Sequence, residues 1–375
     1  MKYFFIAGEA SGDLHAAQVM RELRANDDQA QFRFLGGDEM SHQAGSAPVV
    51  HYREMAYMGF ADVIRHLGSI MHTMRKAKEA IKEFNPDAII LVDYPSFNLK
   101  IAKFAHSLNI PCYYFIAPKV WVWKEWRVKS IRKYVRKIFS ILPFEEPWFK
   151  SRGCEVEYVG NPSVAEINSA KEKFVSKEEF CLKHELHPGK PIVAIIPGSR
   201  KREIFDNLPF MLEAASRFDC IPLVATAPSV DMEIYRKAMG NNTAKLVEGD
   251  TMQLMHHAHA ALVTSGTATL ETALLGTPQV ACYRFTGSKF SYWMYSKLLH
   301  GKYVTLPNLI VDKPVIAELL MHFCNADSIS KHLAPLLSAS PERQAMLSGY
   351  AEMRRTLGIN DCALNTATAI IKDLK

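Results

Sequence analysis

The sequence has no apolar run long enough to cross a membrane, because a charged residue or a proline interrupts every stretch of about 18 residues that could do so. Near its start, the apolar residues 3–7 are followed at once by Gly8 and Glu9, so this run is too short for the hydrophobic part of a signal peptide. The 7 cysteines are scattered, and the closest two, Cys154 and Cys181, are 27 positions apart. Neither a disulfide framework nor a Cys-x-x-Cys zinc site is therefore indicated. These absences predict a cytoplasmic protein that keeps its thiols reduced.

A large excess of one charge is also missing. Lys and Arg total 45 and Asp and Glu total 39, and the resulting charge of +6 does not by itself indicate a nucleic-acid partner. Hydrophobic residues make up 48% and charged residues 22% of the chain, a composition that excludes disorder as its main state. At 375 residues the chain exceeds the size at which a single core stops growing, so two domains are expected.

Short apolar runs alternate with segments of helical period along most of the chain, which is the pattern of repeated β-α units. The predicted strands are 3–7, 87–93, 111–116, 138–142 and 156–159 and, after a polar segment at 166–188, 191–196, 220–225, 244–248, 260–264 and 279–283. The predicted helices are 14–25, 62–84, 97–108, 124–136, 201–217, 231–239, 251–258 and 267–275, and a helical pattern without a convincing strand fills 315–373.

Because these strands are apolar almost throughout, both faces of each sheet should be covered by helices, as in parallel sheets. The prediction is an α/β protein with two doubly wound domains, at 1–165 and 166–345, that face an interdomain cleft. The helices expected at 346–375 have three alternative places: they finish the second domain, they cross back to the first domain, or they pair with another subunit. Ligands bind beyond the carboxyl ends of strands in such sheets, so functional motifs are expected just after strands.

The first such motif is Gly-Glu-Ala-Ser-Gly-Asp at 8–13, which follows a predicted strand and opens a helix. Its glycines allow a ligand to approach backbone N–H groups at a helix N-terminus. Its spacing matches neither the dinucleotide-binding nor the Walker pattern. A turn capped by Ser11 or Asp13 explains the motif equally well.

Asp93 ends the most apolar predicted strand, in the motif Val-Asp-Tyr-Pro-Ser-Phe-Asn at 92–98. A carboxylate at this position, with apolar neighbours that raise its proton affinity, is suited to general-base catalysis. Taken alone, the motif fits a simple Asx turn before Pro95 better.

Two similar turns occur in the second half, Pro-Gly-Ser-Arg at 197–200 and Thr-Ser-Gly-Thr-Ala-Thr-Leu-Glu at 264–271. Each combines a strand end, small residues and a helix start, where backbone N–H groups can bind a phosphate. The planar guanidinium of Arg200 matches phosphate oxygens, and Glu271 could accept two sugar hydroxyls. The alternatives are a surface turn and a Ser/Thr cap, but the two motifs together favour a nucleotide diphosphate.

An aromatic and basic segment lies at 113–137, in which residues 119–137 contain eight basic residues and a single acidic one. Tryptophan beside Lys and Arg suits anionic lipid headgroups, although a helix with a solvated basic face is an equal alternative. The apolar side chains of 55–74 could accept acyl chains or simply face a core. His256, His257 and His259 lack acidic or cysteine residues at ligand spacing, so a structural or exposed role is favoured over a metal site.

Taken together, eight motifs occur in the order that resembles the lipid-A-disaccharide synthase family. They are 8–13, Tyr-Met-Gly at 57–59, 92–98, Pro-Lys-Val-Trp-Val-Trp at 118–123, Leu-Pro-Phe-Glu at 142–145, 197–200, 265–271 and Leu-Pro-Asn at 306–308. The resemblance covers about residues 3 to 320.

This resemblance implies a GT-B architecture of two Rossmann-like domains around a cleft. It implies UDP-2,3-diacylglucosamine as donor and 2,3-diacylglucosamine 1-phosphate (lipid X) as acceptor, and a β(1→6)-linked disaccharide 1-phosphate and UDP as products. The resemblance also implies that transfer proceeds with inversion by a single displacement. The resemblance implies no cofactor, no metal and no nucleic acid, but a peripheral contact with the phospholipid surface of the inner membrane and a homodimer through the C-terminal segment.

The resemblance also assigns roles to residues. Asp93 corresponds to the catalytic base, and Arg200 stabilises the departing diphosphate. The remaining UDP-sugar site comprises Gly198, Ser199, Ser265, Gly266, Thr267, Glu271, Tyr283 and Asn308. The acceptor side of the cleft comprises Gly8, Glu9, Ser11, Gly12, Asp13 and Met58. The membrane and acyl contacts are Trp121, Trp123, Trp126, Lys129 and Arg132.

The chain departs from the family pattern at Ser96, where relatives often have a second acid, and at Met321, where they often have Gln. No catalytic role is therefore predicted for either residue. A UDP-N-acetylglucosamine 2-epimerase is the competing interpretation, because such isomerases share the architecture and the UDP site. A catalytically inactive nucleotide-sugar-binding protein is the third.

Overall fold

The computed structural model describes residues 1–55, 67–122, 124–187, 189–264, 266–284 and 302–375. It divides into two compact units, one formed by Met1–Pro162 with Ile359–Lys375 and the other by Ser163–Gly358. Three residues of the predicted site, Met58, Trp123 and Ser265, lie outside the described residues. No helix in the described ranges is long and apolar enough to cross a bilayer.

The first unit is built on a parallel sheet in which the described strands follow the order β3-β2-β1-β4-β5-β6-β7. The strands are β1 (Lys2–Ala7), β2 (Gln31–Gly36), β3 (Val50–His51), β4 (Ala88–Val92), β5 (Cys112–Phe115), β6 (Lys137–Ser140) and β7 (Val156–Tyr158). The helices are α1 (Ala10–Asn26), α2 (Asp38–Ala44), α3 (Leu67–Phe84), α4 (Pro95–Ser107), α5 (Val128–Tyr134) and α6 (Glu145–Lys150). Short 3₁₀ turns occupy Tyr52–Glu54 and Glu125–Arg127.

The second unit repeats this construction with the strand order β10-β9-β8-β11-β12-β13, again parallel. Its strands are β8 (Ile192–Ile196), β9 (Ile221–Ala225), β10 (Lys245–Val247), β11 (Ala260–Val263), β12 (Gln279–Tyr283) and β13 (Ala317–Leu320). The helices from here to the end of the chain are α7 (Pro162–Lys171), α8 (Lys177–Lys183), α9 (Lys201–Ala215), α10 (Met232–Met239), α11 (Thr251–His257), α12 (Gly266–Leu275), α13 (Leu306–Val311), α14 (Ala326–Leu333), α15 (Pro341–Leu357) and α16 (Cys362–Leu374).

The apolar strands are covered on both faces, which confirms the predicted pair of doubly wound α/β domains. In β1, Phe4 and Ile6 enter one core cluster, while Tyr3 and Phe5 enter a second cluster on the opposite face. Alternate side chains of a strand point to opposite faces, so a strand buried on both must be apolar at every position.

Each sheet has one point at which the strand order reverses, between β1 and β4 in the first unit and between β8 and β11 in the second. Connections from the two strands at such a point run to opposite sides of the sheet, which leaves a crevice at their carboxyl ends. The four motifs at 8–13, 92–98, 197–200 and 264–271 directly follow these four strands. The topology therefore brings the predicted motifs together in two pairs.

Three strands differ from the sequence prediction. The apolar pattern predicts neither β2 nor β3. In the structure, the first residues of β2 alternate between exposed and buried, as expected for a strand. β13 contradicts the expectation of helix without a strand over 315–373, because Ala317–Leu320 pairs with β12 at the edge of the sheet. β13 is only partly buried and contains Glu318, so its residues lack the apolar run that identifies the other strands.

The last helix belongs to the first unit. Helix α16 packs against α1, and its Ala367 and Ile370 enter the same core cluster as Met20. At its C-terminal end the Asp373 carboxylate accepts hydrogen bonds from the Tyr113 hydroxyl (2.6 Å) and from Nε of Arg136 (2.5 Å). Helix α15 belongs to the second unit, and the first unit includes the chain again from Ile359.

We expect Ile370→Ala to destabilise the first unit by about 2 to 5 kcal/mol, because it removes a fully buried side chain from the contact between α16 and α1. The matched control is Leu364→Ala on the same helix, whose side chain is 39% exposed and whose loss should cost well under about 1 kcal/mol. Urea unfolding followed by circular dichroism measures both. Equal effects of the two substitutions would contradict this packing.

Candidate functional site

Asp93 follows β4 in a strained backbone corner. Asp93 (φ 43°) and Tyr94 (φ 47°) both adopt the left-handed region, which non-glycine residues rarely occupy. The carbonyl of Asp93 accepts hydrogen bonds from the Tyr114 hydroxyl (2.6 Å) and from Nδ2 of Asn98 (2.7 Å), and the same Asn98 nitrogen donates to Val92 O (3.2 Å). Such strain persists where surrounding contacts determine the backbone, and it is concentrated at functional sites.

The environment of the Asp93 carboxyl suits proton abstraction near neutral pH. Burial raises its pKa to about 6, the negative charge of Glu9 adds to the rise, and the positive charge of Lys119 opposes it. The carboxylate of Asp93 is therefore a stronger base than that of a solvated aspartate, yet it is ionised at neutral pH. The Asx turn that the sequence alone favours does not explain this environment.

Gly8 and Tyr94 join the two motifs of the first unit. A Cβ at Gly8 would overlap the aromatic ring of Tyr94, so only glycine allows the ring to lie there. The Tyr94 hydroxyl donates a hydrogen bond to Met55 O (3.1 Å), which holds the ring in place. Gly12 packs more loosely, since a Cβ there would lie 3.4 Å from the Cβ of Ala7. Close packing at Gly8 sets Glu9 beside Asp93.

The structure corrects the expected roles of two polar residues in the 8–13 motif. Helix α1 is preceded by Glu9, whose side chain makes no cap, so neither Ser11 nor Asp13 is the cap that the sequence suggests. Ser11 instead donates a hydrogen bond to Oε1 of Glu9 (2.8 Å). Asp13 is 2% exposed and accepts hydrogen bonds from the backbone N–H groups of Gly37, Glu39 and Met40 at the start of α2. Asp13 therefore satisfies backbone N–H groups at the start of α2.

The aromatic and basic segment separates into a buried part and an exposed part. The Trp121 indole is partly buried and donates a hydrogen bond to Oε1 of Glu145 (3.0 Å). Arg127 is buried as well, and its guanidinium donates to Oγ of Ser96 (3.0 Å). Trp126, by contrast, is 65% exposed. The sequence singles out neither Glu145 nor Arg127 as a site residue, because their partners are distant in the chain.

In the second unit, the 197–200 turn contacts the carboxylate of Glu203. Gly198 has a φ of 108°, and a Cβ there would lie 2.6 Å from Oε2 of Glu203. The N–H of Ser199 donates to Oε2 of Glu203 (3.2 Å), and the Arg200 guanidinium donates to its Oε1 (2.9 Å). The loop thus directs a backbone N–H and a guanidinium at one oxyanion, which is the arrangement that binds phosphate.

The 264–271 turn lies at the end of the neighbouring strand, where the N–H of Thr264 donates to Ile196 O (2.8 Å). Helix α12 begins at Gly266, and Thr267 in its first turn is exposed. Burial raises the pKa of Glu271, and burial together with the negative charge of Glu271 raises the pKa of Glu166 to about 7. No sequence motif points to Glu166, which lies on helix α7.

The last two predicted donor-site residues differ in their surroundings. Tyr283 ends β12 and is partly buried. Asn308 is 1% exposed, and its amide bonds to both backbone groups of Ile316 (2.9 and 3.0 Å) and to Oε1 of Glu318 (2.9 Å). The Asn308 amide therefore joins α13 to β13.

The three histidines at 256–259 are explained by packing. The pKa of each is lowered, by burial first and then by neighbouring positive charges. The rings of His256 and His257 lie against Phe174 and Phe180. Within the described ranges, no group of three or more His, Cys, Asp or Glu residues has the geometry of a metal site.

Comparison with known proteins matches almost the whole chain to one family. The model of the lipid-A-disaccharide synthetase family matches residues 3–369. The lipid-A-disaccharide synthase of Myxococcus xanthus is 35% identical over 374 residues, covering 98% of this chain and 96% of that protein. That of Acidobacterium capsulatum is 34% identical over 371 residues, covering 94% and 91%.

Solved structures share the fold at low identity. UDP-GlcNAc 2-epimerase from Neisseria meningitidis, bound to UDP-GlcNAc, is similar with a TM-score of 0.69 and 12% identity, covering 100% of this chain and 99% of that one. The calicheamicin glycosyltransferase CalG4 is similar with a TM-score of 0.58 and 13% identity, covering 100% and 98%. Epimerases and glycosyltransferases thus share this architecture, so the fold alone does not separate them.

We expect Gly8→Ala to destabilise the first unit by about 1 to 3 kcal/mol, because the added methyl group displaces the Tyr94 ring from its close contact. The matched control is Gly68→Ala in helix α3, where a Cβ would meet no atom within 4 Å. Thermal unfolding of both variants measures the difference. A Gly8→Ala variant as stable as the control would show that the ring does not require this glycine.

Proposed function

Because the chain belongs to the lipid-A-disaccharide synthase family, it is a glycosyltransferase, and we propose that it transfers 2,3-diacylglucosamine from UDP-2,3-diacylglucosamine to 2,3-diacylglucosamine 1-phosphate. The products are the β(1→6)-linked disaccharide 1-phosphate and UDP. The observation that carries the proposal is the partly buried Asp93 carboxyl, whose pKa is raised to about 6 at the carboxyl end of β4. A base with this pKa serves a reaction in which a hydroxyl must lose its proton.

The proposed mechanism is a single displacement at the anomeric carbon. The Asp93 carboxylate takes the proton of the acceptor's 6-hydroxyl as that oxygen attacks the anomeric carbon. The bond from the anomeric carbon to the diphosphate breaks at the same time, and UDP leaves with the electron pair. Because the oxygen attacks from the face opposite the leaving group, an α-linked donor gives a β-linked product.

The second unit supplies the donor site in this proposal. The Ser199 N–H and the Arg200 guanidinium, which contact Glu203, would bind the diphosphate and stabilise its growing charge. The N–H groups at the start of α12, at Gly266 and Thr267, would add to this binding. Glu271 would accept the ribose hydroxyls, and Tyr283 would complete the site.

An exposed aromatic and basic surface supports a peripheral membrane contact. Trp126, Lys129 and Arg132 are all exposed, a combination that binds anionic headgroups. The proposed location is the cytoplasmic face of the inner membrane, where an acylated donor and acceptor would be available. Exchange of α16 between two copies, with the same contacts to α1, would be the route to a homodimer.

The decisive experiment incubates the purified protein with UDP-2,3-diacylglucosamine in detergent, with and without 2,3-diacylglucosamine 1-phosphate. We expect UDP and disaccharide to appear only with the acceptor, and kcat to fall about 10²- to 10⁴-fold in Asp93→Asn. Because the base must be ionised, activity of the wild type should fall as the pH drops through about 6.

The control for Asp93→Asn is Asp87→Asn, a change of the same kind at an exposed position just before β4. The Asp87 carboxylate accepts a hydrogen bond from the N–H of Lys2 (2.7 Å), far from the carboxyl end of the strand, so this variant should keep the wild-type kcat. Consumption of the donor without acceptor would favour the epimerase. UDP binding without any turnover would favour a binding protein.

We expect Arg200→Ala to weaken UDP binding about tenfold or more, because one charged hydrogen-bond donor to the diphosphate is lost. Arg202→Ala, two residues further along, removes an equal charge that pairs with Asp206 on the side of helix α9. Isothermal titration with UDP compares the two variants. Equal weakening of UDP binding by both substitutions would mean that overall positive charge, and not the 197–200 turn, contributes to UDP binding.

A further inference from the structure

The loop after β5 carries unusual strain close to the candidate base. Ile116 (φ 57°) begins the loop and Lys124 (φ 61°) follows it, and both adopt the left-handed region. This conformation is an outlier for a β-branched residue such as Ile116, so contacts elsewhere must hold the loop in place. Within the loop, the N–H of Val122 donates to Lys119 O (3.1 Å), which closes a turn at 119–122. The turn ties the position of Lys119 to that of Trp121.

Glu145 is the contact that anchors this turn. Its Oε1 accepts the hydrogen bond of the Trp121 indole (3.0 Å), and the Trp121 ring packs edge-on against Phe144 at 4.9 Å. Glu145 is 2% exposed, and it lies at the start of helix α6. The positive charge of Lys119 acts on both Glu145 and Asp93. One buried carboxyl thus anchors the turn that carries Lys119, an exposed lysine whose positive charge lowers the pKa of Asp93.

The contacts of Ser140 give the Glu145 carboxyl a partner for its proton. The buried Oγ of Ser140 lies 2.8 Å from Leu142 O and 3.1 Å from Oε2 of Glu145. A serine hydroxyl has one proton, so it cannot donate fully to both Leu142 O and Oε2 of Glu145. A protonated Glu145 supplies its own proton to the second contact, whereas an ionised Glu145 has to share the Ser140 proton with Leu142 O. The Oγ of Ser140 then also accepts from the N–H of Leu142 (3.4 Å).

We infer that Glu145 is a positioning residue held in its protonated form between Trp121 and Ser140, and that this uncharged carboxyl keeps Lys119 available to Asp93. Burial raises the pKa of Glu145 to about 7, against the opposing hydrogen bonds of Trp121 and Ser140 and the charge of Lys119. When Glu145 loses its proton, its Oε2 can only accept, so it competes with Leu142 O for the single proton of Ser140. The new negative charge also competes with Asp93 for Lys119.

A spectroscopic test needs no substrate. In protein labelled with ¹⁵N-tryptophan, the indole signal of Trp121, assigned from Trp121→Phe, should shift as the pH rises from about 6 to 9. In Glu145→Gln the signal should keep its low-pH position throughout, because an amide accepts from Trp121 and donates to Ser140 as the acid does. The matched control is Glu146→Gln, which changes the neighbouring residue of α6, a partner of Lys150 on the surface. It should titrate like the wild type.

A kinetic test follows, and this part rests on the proposed transferase activity. We expect kcat of the wild type to decline at alkaline pH, and this decline to be absent in Glu145→Gln and retained in Glu146→Gln. Glu145→Ala should lower kcat about tenfold or more at every pH, since the turn loses its anchor. Three results would overturn the inference. The indole signal does not move in the wild type, it moves equally in Glu145→Gln, or Glu145→Gln is as impaired in kcat as Glu145→Ala. Absence of any transfer by the wild type would refute the proposed function, while the indole titration would still decide the role of Glu145.

Discussion

Two consecutive residues with positive φ, Asp93 and Tyr94, end the buried strand β4, and the candidate site of the first unit depends on this corner. The backbone there is held by Asn98 and Tyr114, which bond to the Asp93 carbonyl and not to its carboxyl. The same corner directs the Tyr94 ring over Gly8, and the residue after Gly8 is the glutamate whose charge adds to the raised pKa of Asp93. Backbone geometry, glycine placement and proton affinity are thus parts of one arrangement.

The second unit has the same kind of topology but places different chemical groups at its reversal point. Its reversal point also lies between two central parallel strands, but the turn after β8 directs a backbone N–H and a guanidinium toward the partly buried carboxylate of Glu203 instead of presenting a candidate base. Glu203 satisfies these donors in the structure. An N–H and a guanidinium that can hold a carboxylate can hold a phosphate, since both offer oxygens of similar geometry and negative charge. The two units therefore place a candidate base and a candidate anion-binding turn at the same point of one topology.

The sequence identifies motifs better than it identifies the task of each residue. Asp13, Asn308 and Trp121 all lie in predicted motifs, yet each uses its polar group on a partner inside the protein. Their partners are residues such as Gly37, Glu318 and Glu145, which come from other elements of the fold. A motif records which residue types follow a strand, but hydrogen bonds across the fold decide which of them remain available for a ligand. For the same reason, the prediction of helix at the edge strand β13 is wrong, because its pairing with β12 outweighs its local pattern.

The fold class, most of the strands, the four turns after the central strands and the family can all be predicted from the amino-acid sequence, because apolar runs and turn residues act locally and keep their order along the chain. Tertiary structure alone decided the proton affinity of Asp93, the internal roles of Asp13 and Asn308, the packing of α16 on α1 and the buried contact of Glu145 with Trp121. Each of these depends on burial or on a partner far away in the chain. Desolvation and long-range hydrogen bonding arise only once the elements have packed together.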